Sequence, residues 1–325
     1  MITVALPDFQ RLHLLRGGAI VAGAPAAVFR ITGAGALTCL QGLWTNDLVE
    51  PGQMSVTYGA LLTPKGMIIT DGWALRTGEA VDLIFPPQAR DAVDQIFRRS
   101  LPPRLATATD LSDSVVVTHL LGDAAAERWP VVPLGRLPDA GMVSRCEVAE
   151  GELLVATPVA GPFEGLLIGP RAAIGGAEAL LEVAGMKAGD DADRETARIL
   201  SGWPAVGAEI EERTLPQEVR FDEHAGVSYT KGCYTGQETV ARLHFRGHAN
   251  RVLRGLRWIG PPADGDEIRA GEKPVGRVGS LLRLPDRALG LAVLRREVHP
   301  GNRVTIGGSP AVVTEVPFGP EDIEG

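Results

Sequence analysis

Short apolar runs broken by glycine, proline and aspartate dominate the first part of the chain. Residues 19–22 and 28–31 read as strands on either side of a Gly-Ala-Pro turn, and 36–43 as a helix after Gly33-Ala34-Gly35. Residues 53–62 and 67–75 read as a hairpin around the Thr63-Pro64-Lys65-Gly66 turn, and 81–85 as a further strand. Residues 89–100 carry Ala92, Val93, Ile96 and Phe97 at helical spacing, with basic residues at the end. After Pro102-Pro103 the pattern predicts a strand over 114–121, a helix over 123–129 and a loop over 130–145. Strands over 153–157 and 165–168 follow, then helices over 176–184 and 190–200. Such a mixture is α+β rather than alternating βαβ. Beyond Arg251 the pattern changes to short strands at 252–258, 273–282, 289–294, 303–306 and 311–316. That series predicts a small β-barrel, with the boundary between Arg242 and Arg251.

Composition narrows the function classes. At 325 residues the chain suits two or three domains, and 45% hydrophobic content is enough for real cores. Aromatics make up 5%, which disfavours an extended base-stacking platform. Cys39, Cys146 and Cys233 are far apart and form no C-x-x-C pair, so no self-contained zinc or iron–sulfur site is written here. Sparse cysteines fit a reducing compartment. The longest charge-free apolar run, 17–29, is too short to span a membrane, and Asp8 sits where a signal peptide would be basic. The reading is a cytoplasmic protein with no membrane partner. A dinucleotide fingerprint fails because Thr38 stands where its third glycine belongs. The net charge of −8 argues against a general nucleic-acid binder, yet residues 240–258 hold five arginines and no acid.

The segment Lys231-Gly232-Cys233-Tyr234-Thr235-Gly236-Gln237-Glu238 concentrates the candidate chemistry. Thr235 and Glu238 have capping-box spacing, which predicts a helix starting near Gly236 with its first N–H groups aimed back at the thiol. A helix N-terminus carries roughly half a positive charge and Lys231 adds a full one, and both favour thiolate. The competing reading of Cys233 is a small buried hydrophobe at a turn. A Cys–His dyad would draw on His224, His244 or His248, and none of these assembles a convincing metal set.

The octapeptide resembles the K-G-C-[FY]-x-G-Q-E signature of the YgfZ/Iba57 family, folate-binding relatives of the glycine-cleavage T protein. The similarity continues into Thr239-Val240-Ala241-Arg242. Weaker similarity covers 29–75, including Gln41-Gly42, Thr45-Asn46-Asp47 and Leu62-Thr63-Pro64-Lys65-Gly66, and the tail over 271–318. The resemblance implies an α+β fold of two ferredoxin-like modules followed by a C-terminal β-barrel. Its domains would be a folate-binding module over 1–110 (completed by about 186–245), a second module over 111–185, the signature segment over 186–250 and the barrel over 251–325.

The resemblance also implies a tetrahydrofolate-binding protein that supports assembly or repair of iron–sulfur proteins, with tRNA-modifying enzymes among the clients. Cys233 would be its exposed thiol and Lys231 would depress the thiol pKa. Tyr58 aligns with a T-protein tyrosine in folate contact, and Tyr234 and Trp203 are local aromatic alternatives. Asn46 and Asp47 are further contacts, Lys65, Lys231 and Arg242 offer charge to the folate tail, and Gln237 and Glu238 would cap and order the loop. T proteins have paired aspartates after a glycine-rich turn. Here the pair is Thr70-Asp71, so only Asp71 remains, and a hydroxyl does not replace a carboxylate as a base. Two alternatives stay open: a folate-dependent aminomethyltransferase or demethylase centred on Asp71, and an RNA- or acidic-partner-binding module through the arginines of 242–257. Expected partners are folate and iron–sulfur assembly proteins or client enzymes, with nucleic acid only indirect and no stably bound metal.

Overall fold

The computed structural model describes residues 1–6 and 9–323. Asp8 and the last two residues of the expected barrel segment lie outside the described residues. In chain order, β1 (Ile2–Ala5) and α1 (Gln10–Gly17) lead to β2 (Ile20–Ala24), β3 (Ala27–Thr32) and α2 (Ala36–Gln41). The hairpin β4 (Met54–Leu62) and β5 (Ile68–Thr77) continues into β6 (Ala80–Phe85), α3 (Arg90–Ser100) and β7 (Thr107–Asp110). Then come β8 (Val115–Leu121), α4 (Val131–Leu134), β9 (Met142–Val148), β10 (Gly151–Thr157) and β11 (Gly165–Pro170). These are followed by α5 (Arg171–Val183), β12 (Lys187–Ala188) and α6 (Asp191–Leu200). Helix α7 (Gln237–Arg246) precedes β13 (Arg251–Trp258), β14 (Glu267–Ala270), β15 (Lys273–Arg283), β16 (Ala288–Arg295), β17 (Arg303–Ile306), β18 (Ser309–Thr314) and α8 (Pro320–Ile323).

Eleven strands form one sheet in the order β12-β2-β8-β11-β10-β9-β4-β5-β6-β3-β7, antiparallel except where β12 joins β2. Its two halves meet at a single residue pair, Ser55 with Met142. Strand periodicity sends alternate side chains to opposite faces. Phe29, Ile31, Leu83 and Phe85 pack outward on Ala36 and Leu40 of α2 and Val93 and Phe97 of α3. In the other half Leu153, Val155 and Leu167 pack on Ala173, Ile174, Ala177 and Leu181 of α5. Val28, Ile84, Leu154, Ala156, Leu166 and Ile168 face inward, where both halves share one core with Tyr58, Trp73, Trp203, Phe221 and Tyr234. The sheet is therefore a half-barrel around a common centre.

The C-terminal barrel is closed: β15-β14-β17-β18-β13-β16 returns to β15 through the β15–β16 pairing, all antiparallel. Leu256, Ile268, Val278, Ala292, Val304 and Val313 fill it. Strand β1 adds in parallel to β15, pairing Ile2 with Ser280. The architecture is thus α+β with a closed six-stranded barrel.

Several expectations need correction. Residues 2–5 lie on the barrel sheet, and β2 pairs with β8 of the second half, so neither belongs to the sheet of the N-terminal half. Residues 123–129 form turns rather than a helix, because Gly122 at φ 94° starts the segment and Pro130 ends it. The expected loop over 130–145 contains α4 and the start of β9, whose seven-residue ladder with β10 supplies main-chain hydrogen bonds that its Pro/Gly-rich composition concealed.

Candidate functional site

The three resembling segments of the N-terminal half converge on the octapeptide. Thr45 Oγ1 donates to the Gly226 carbonyl at 2.7 Å and accepts from the Ala60 N–H at 2.9 Å. Asn46 Nδ2 donates to the carbonyls of Tyr58 (2.8 Å) and Ala225 (2.7 Å). Asp47 Oδ1 accepts from the N–H groups of Val49 and Glu50 and from Gln41 Nε2, at 2.7, 3.1 and 2.9 Å. Burial acts to raise the Asp47 carboxyl, but these donors and the Lys231 charge outweigh it and hold it below the usual range. Asn46 thus ties its loop to β4 and to the Ala225 turn, and Asp47 Oδ1 orders the loop that follows it.

Lys231 is 8% exposed, and its Nζ donates to the carbonyls of Trp44 at 2.7 Å and Asn46 at 2.8 Å. Burial brings this amine down to about 8, with Asp47 opposing. Cys233 is exposed. The lysine charge thus faces inward to Asp47 and two carbonyls, which corrects the expected assistance to the thiol.

The capping box is a second correction. Gly236, at φ 82°, is the N-cap of α7, which moves Thr235 and Glu238 out of register; Thr235 Oγ1 turns to the Gly42 carbonyl at 3.4 Å. The Gln237 N–H donates to the Tyr234 carbonyl, so it is not left pointing at the thiol. A Cβ on Gly236 would stand 2.6 Å from the Thr63 carbonyl oxygen, with the Gly66 Cα at 2.9 Å. The left-handed backbone and this contact together predict that Gly236→Ala costs about 2–4 kcal/mol. Urea unfolding within about 0.5 kcal/mol of wild type would refute that prediction.

Asp71 sits elsewhere, on β5 opposite Ala60. It is 6% exposed; its Oδ2 accepts from the Tyr58 hydroxyl at 2.7 Å, and its Oδ1 is buried with no partner among the described residues. Burial pushes the Asp71 carboxyl up to about 6, against the Tyr58 hydrogen bond and the Arg198 charge. Tyr58 itself is raised by burial and by Asp71.

Asp71 lines a cavity of about 390 Å³ together with Trp73, His119, Phe163, Arg194 and Trp203. Trp73 and Trp203 stack with centroids 5.8 Å apart and an interplanar angle of 19°, and His119 stacks on Phe163 at 4.1 Å. Burial and the Arg194 charge lower His119 to about 3, so it is neutral in the wall. Arg198 fixes this wall: it donates to the Trp203 carbonyl and to Ser280 Oγ, each at 2.7 Å, and pairs with Glu195 and Glu209. The site is thereby tied to the barrel.

A second cavity, of about 430 Å³, opens on the other side of Tyr58 and Trp73, with Asn46, Asp47, His224 and Tyr229 in its lining. Burial and the Arg220 charge bring His224 down to about 4, and its ring lies 3.9 Å from that of Trp203. His244 Nδ1 is 3.3 Å from Asp222 Oδ2 and stacks on Tyr229. Lys65, Tyr234, Gln237, Glu238 and Arg242 line neither cavity, and Lys65, Glu238 and Arg242 are exposed.

Trp73, His119, Phe163 and Arg194 were not foreseen. One signal was available for each half of the site: Asp71 and His119 are ionisable residues in the middle of largely hydrophobic strands. Among the described residues no group of three or more His, Cys, Asp or Glu stands together to hold a metal ion. No helix among them is long and apolar enough to cross a membrane.

No protein-family model matches the chain. A tRNA-modifying protein YgfZ of Serratia proteamaculans (strain 568) is 36% identical over 105 residues, 30% of this chain and 32% of that protein. The chain thus aligns with about a third of that relative's length. A tRNA-modifying protein YgfZ of Vibrio vulnificus (strain YJ016) is 27% identical over 287 residues, 86% of this chain and 84% of that protein. Among solved structures, the glycine cleavage system aminomethyltransferase T of Bartonella henselae superposes with a TM-score of 0.78 at 19% identity. That superposition covers 95% of this chain and 88% of that one. At this identity the likeness establishes the fold.

Proposed function

We propose that this chain, similar over most of its length to a tRNA-modifying protein YgfZ and sharing the fold of the glycine cleavage aminomethyltransferase T, binds a reduced folate in the Asp71 cavity. It would serve iron–sulfur client enzymes, those that modify tRNA among them, through the separate thiol Cys233. The observation that carries this reading is the orphaned, buried Oδ1 of Asp71 behind an aromatic wall. A buried acceptor without a partner is costly, and a pterin edge offers N–H donors to relieve it. Trp73, Trp203 and Phe163 give the ring an apolar slot, and Arg194, paired with Asp191 at 2.6 Å, would share its guanidinium with a folate carboxylate. Bound tetrahydrofolate supplies a carrier for one-carbon units. The chain's own residues hold, orient and desolvate it.

Cys233 is exposed two residues after Lys231, whose ammonium is held by the Trp44 and Asn46 carbonyls. One thiol does not hold a cluster that generally wants four ligands, so any cluster it meets is a client's. The description of the relatives as tRNA-modifying supports such a client.

Titration of tetrahydrofolate tests the reading. Wild type and Cys233→Ala are expected to bind with equal affinity, and Trp203→Leu at least tenfold more weakly. Wild type that shows no binding at about 1 mM, a free energy near −4 kcal/mol, ends the folate reading. The position of Asp71 favours one second reading, a folate-dependent aminomethyl or methyl transferase. Turnover of such a substrate that survives Cys233→Ala and is lost with Asp71→Asn would select it.

A further inference from the structure

The arginines after α7 divide in the fold. Arg251 grips both oxygens of Glu218 at 2.9 Å, Arg254 reaches Glu315 at 3.1 Å and Arg257 reaches Asp322 at 3.4 Å. Arg242 and Arg246 stand exposed on α7, with no ion-pair partner among the described residues. Strand β16 ends at Arg295, and Arg296 follows with its N–H on the Asn250 carbonyl at 2.9 Å; both side chains are exposed. With His248, Asn250 and His299 they line a surface depression of about 530 Å³. It shares Asn250 and Arg295 with a larger one of about 1050 Å³ that adds the exposed Arg213.

The carboxylates in these depressions already have cations: Glu297 is held by Lys273 at 2.8 Å, Asp266 by Arg277 at 2.5 Å, Glu267 by Arg269 and Glu218 by Arg251. Arg295 and Arg296 are therefore surplus positive charge on a chain whose net charge is −8, while Arg213 has no ion pair among the described residues but follows the exposed Glu211 and Glu212. Phe245, 67% exposed, lies three residues before His248 with the His244 ring edge-on at 4.8 Å.

We propose that this face binds the phosphate backbone of single-stranded or looped RNA, with Phe245 as the platform for an unpaired base. Guanidinium groups match phosphate oxygens bidentately, and every base has a face that stacks on a ring. An acidic peptide is the competing occupant, since Met67, Leu215, Pro274 and Val275 give the larger depression an apolar wall; the exposed Phe245 ring, a stacking face such a peptide does not need, favours RNA. The face differs in kind from the folate cavity: charged, open, and built from the barrel, the segment that follows α7 and the stretch around Arg213.

The test is fluorescence anisotropy of a labelled single-stranded RNA of about a dozen nucleotides, a length within the usual site sizes. Wild type is expected to bind at low salt with a log–log salt slope near −2, as about three phosphate contacts require. Arg295→Glu/Arg296→Glu is expected to weaken binding at least tenfold and Phe245→Ala about fivefold or more. Arg254→Gln, whose arginine is already paired, is expected to change nothing. Arg295→Gln/Arg296→Gln repeats the test if the charge-reversed chain has a lowered thermal midpoint. Wild type that fails to bind, or binding equal in the Arg295/Arg296 variants, overturns the proposal. A polyglutamate peptide bound more tightly than RNA through the same residues overturns it in favour of an acidic protein partner.

Discussion

At pH 8, Asp71→Asn is expected to unfold about 2 kcal/mol less readily than wild type, while its affinity for tetrahydrofolate falls tenfold or more. The carboxyl is buried and raised from 3.8 to about 6. A folded-state value above the unfolded one means that the stabilising form is the protonated acid. Its contribution is full below pH 3.8 and is lost as pH rises through 6. The gap of about two between those values, at ~1.4 kcal/mol for each pH unit, sets an upper bound near 3 kcal/mol for the cost of keeping Asp71 ionised above pH 6. Asparagine removes that charge and can still accept from Tyr58. The variant's advantage should thus be small at pH 4, grow between pH 4 and 6 and level off above. Urea midpoints at the two ends of that range measure it. A variant no more stable than wild type at pH 8 would mean that the ionised carboxylate is already satisfied. The loss of affinity follows from removing a charged acceptor, a hydrogen bond of about 1.5–3 kcal/mol. A stable variant that binds poorly is the signature of a residue kept for its ligand.

Lys231→Met is expected to cost about 2 kcal/mol, whereas Cys233→Ala stays within about 0.5 kcal/mol of wild type. Methionine keeps the length of the side chain but leaves the Trp44 and Asn46 carbonyls without their donor. Each orphaned buried acceptor costs about 1–3 kcal/mol, partly offset because the ammonium no longer has to be desolvated. Cys233 is exposed, and truncating it disturbs little. Urea unfolding of both variants measures the contrast, and the rate of Cys233 alkylation supplies a second readout. A neutral Lys231→Met whose thiol reacts more than tenfold more slowly would restore the lysine as an activator of the thiol. The expected result, lost stability with a thiol that reacts at least as fast, makes it a latch between the 44–47 loop and the signature loop.

The sequence made the elements legible wherever the local pattern was strong. Helix α3, the β4–β5 hairpin and most barrel strands follow from periodicity and turn residues. It failed at β9, where the proline- and glycine-rich run before it masked a seven-residue strand. It failed again at β1, whose four residues are a strand only because β15 lies open beside them. Even the capping box, a strictly local motif, gave way to Gly236, because the close approach of Thr63 and Gly66 demands a residue without a side chain there.

For function, the octapeptide by itself carried the family resemblance, because eight consecutive residues can be read without the fold; that Cys233 is exposed rather than buried was decided by the tertiary structure. It did not determine the cavity. Asp71 gains its raised pKa from burial, and its wall comes from Trp73 on β5, His119 on β8, Phe163 before β11 and Trp203 after α6. Only the closing of the half-barrel brings those segments within contact, since desolvation depends on every neighbour at once and on none of them in sequence. Tertiary contacts likewise decided that Lys231 faces inward and that three of the five arginines between Val240 and Trp258 are ion-paired.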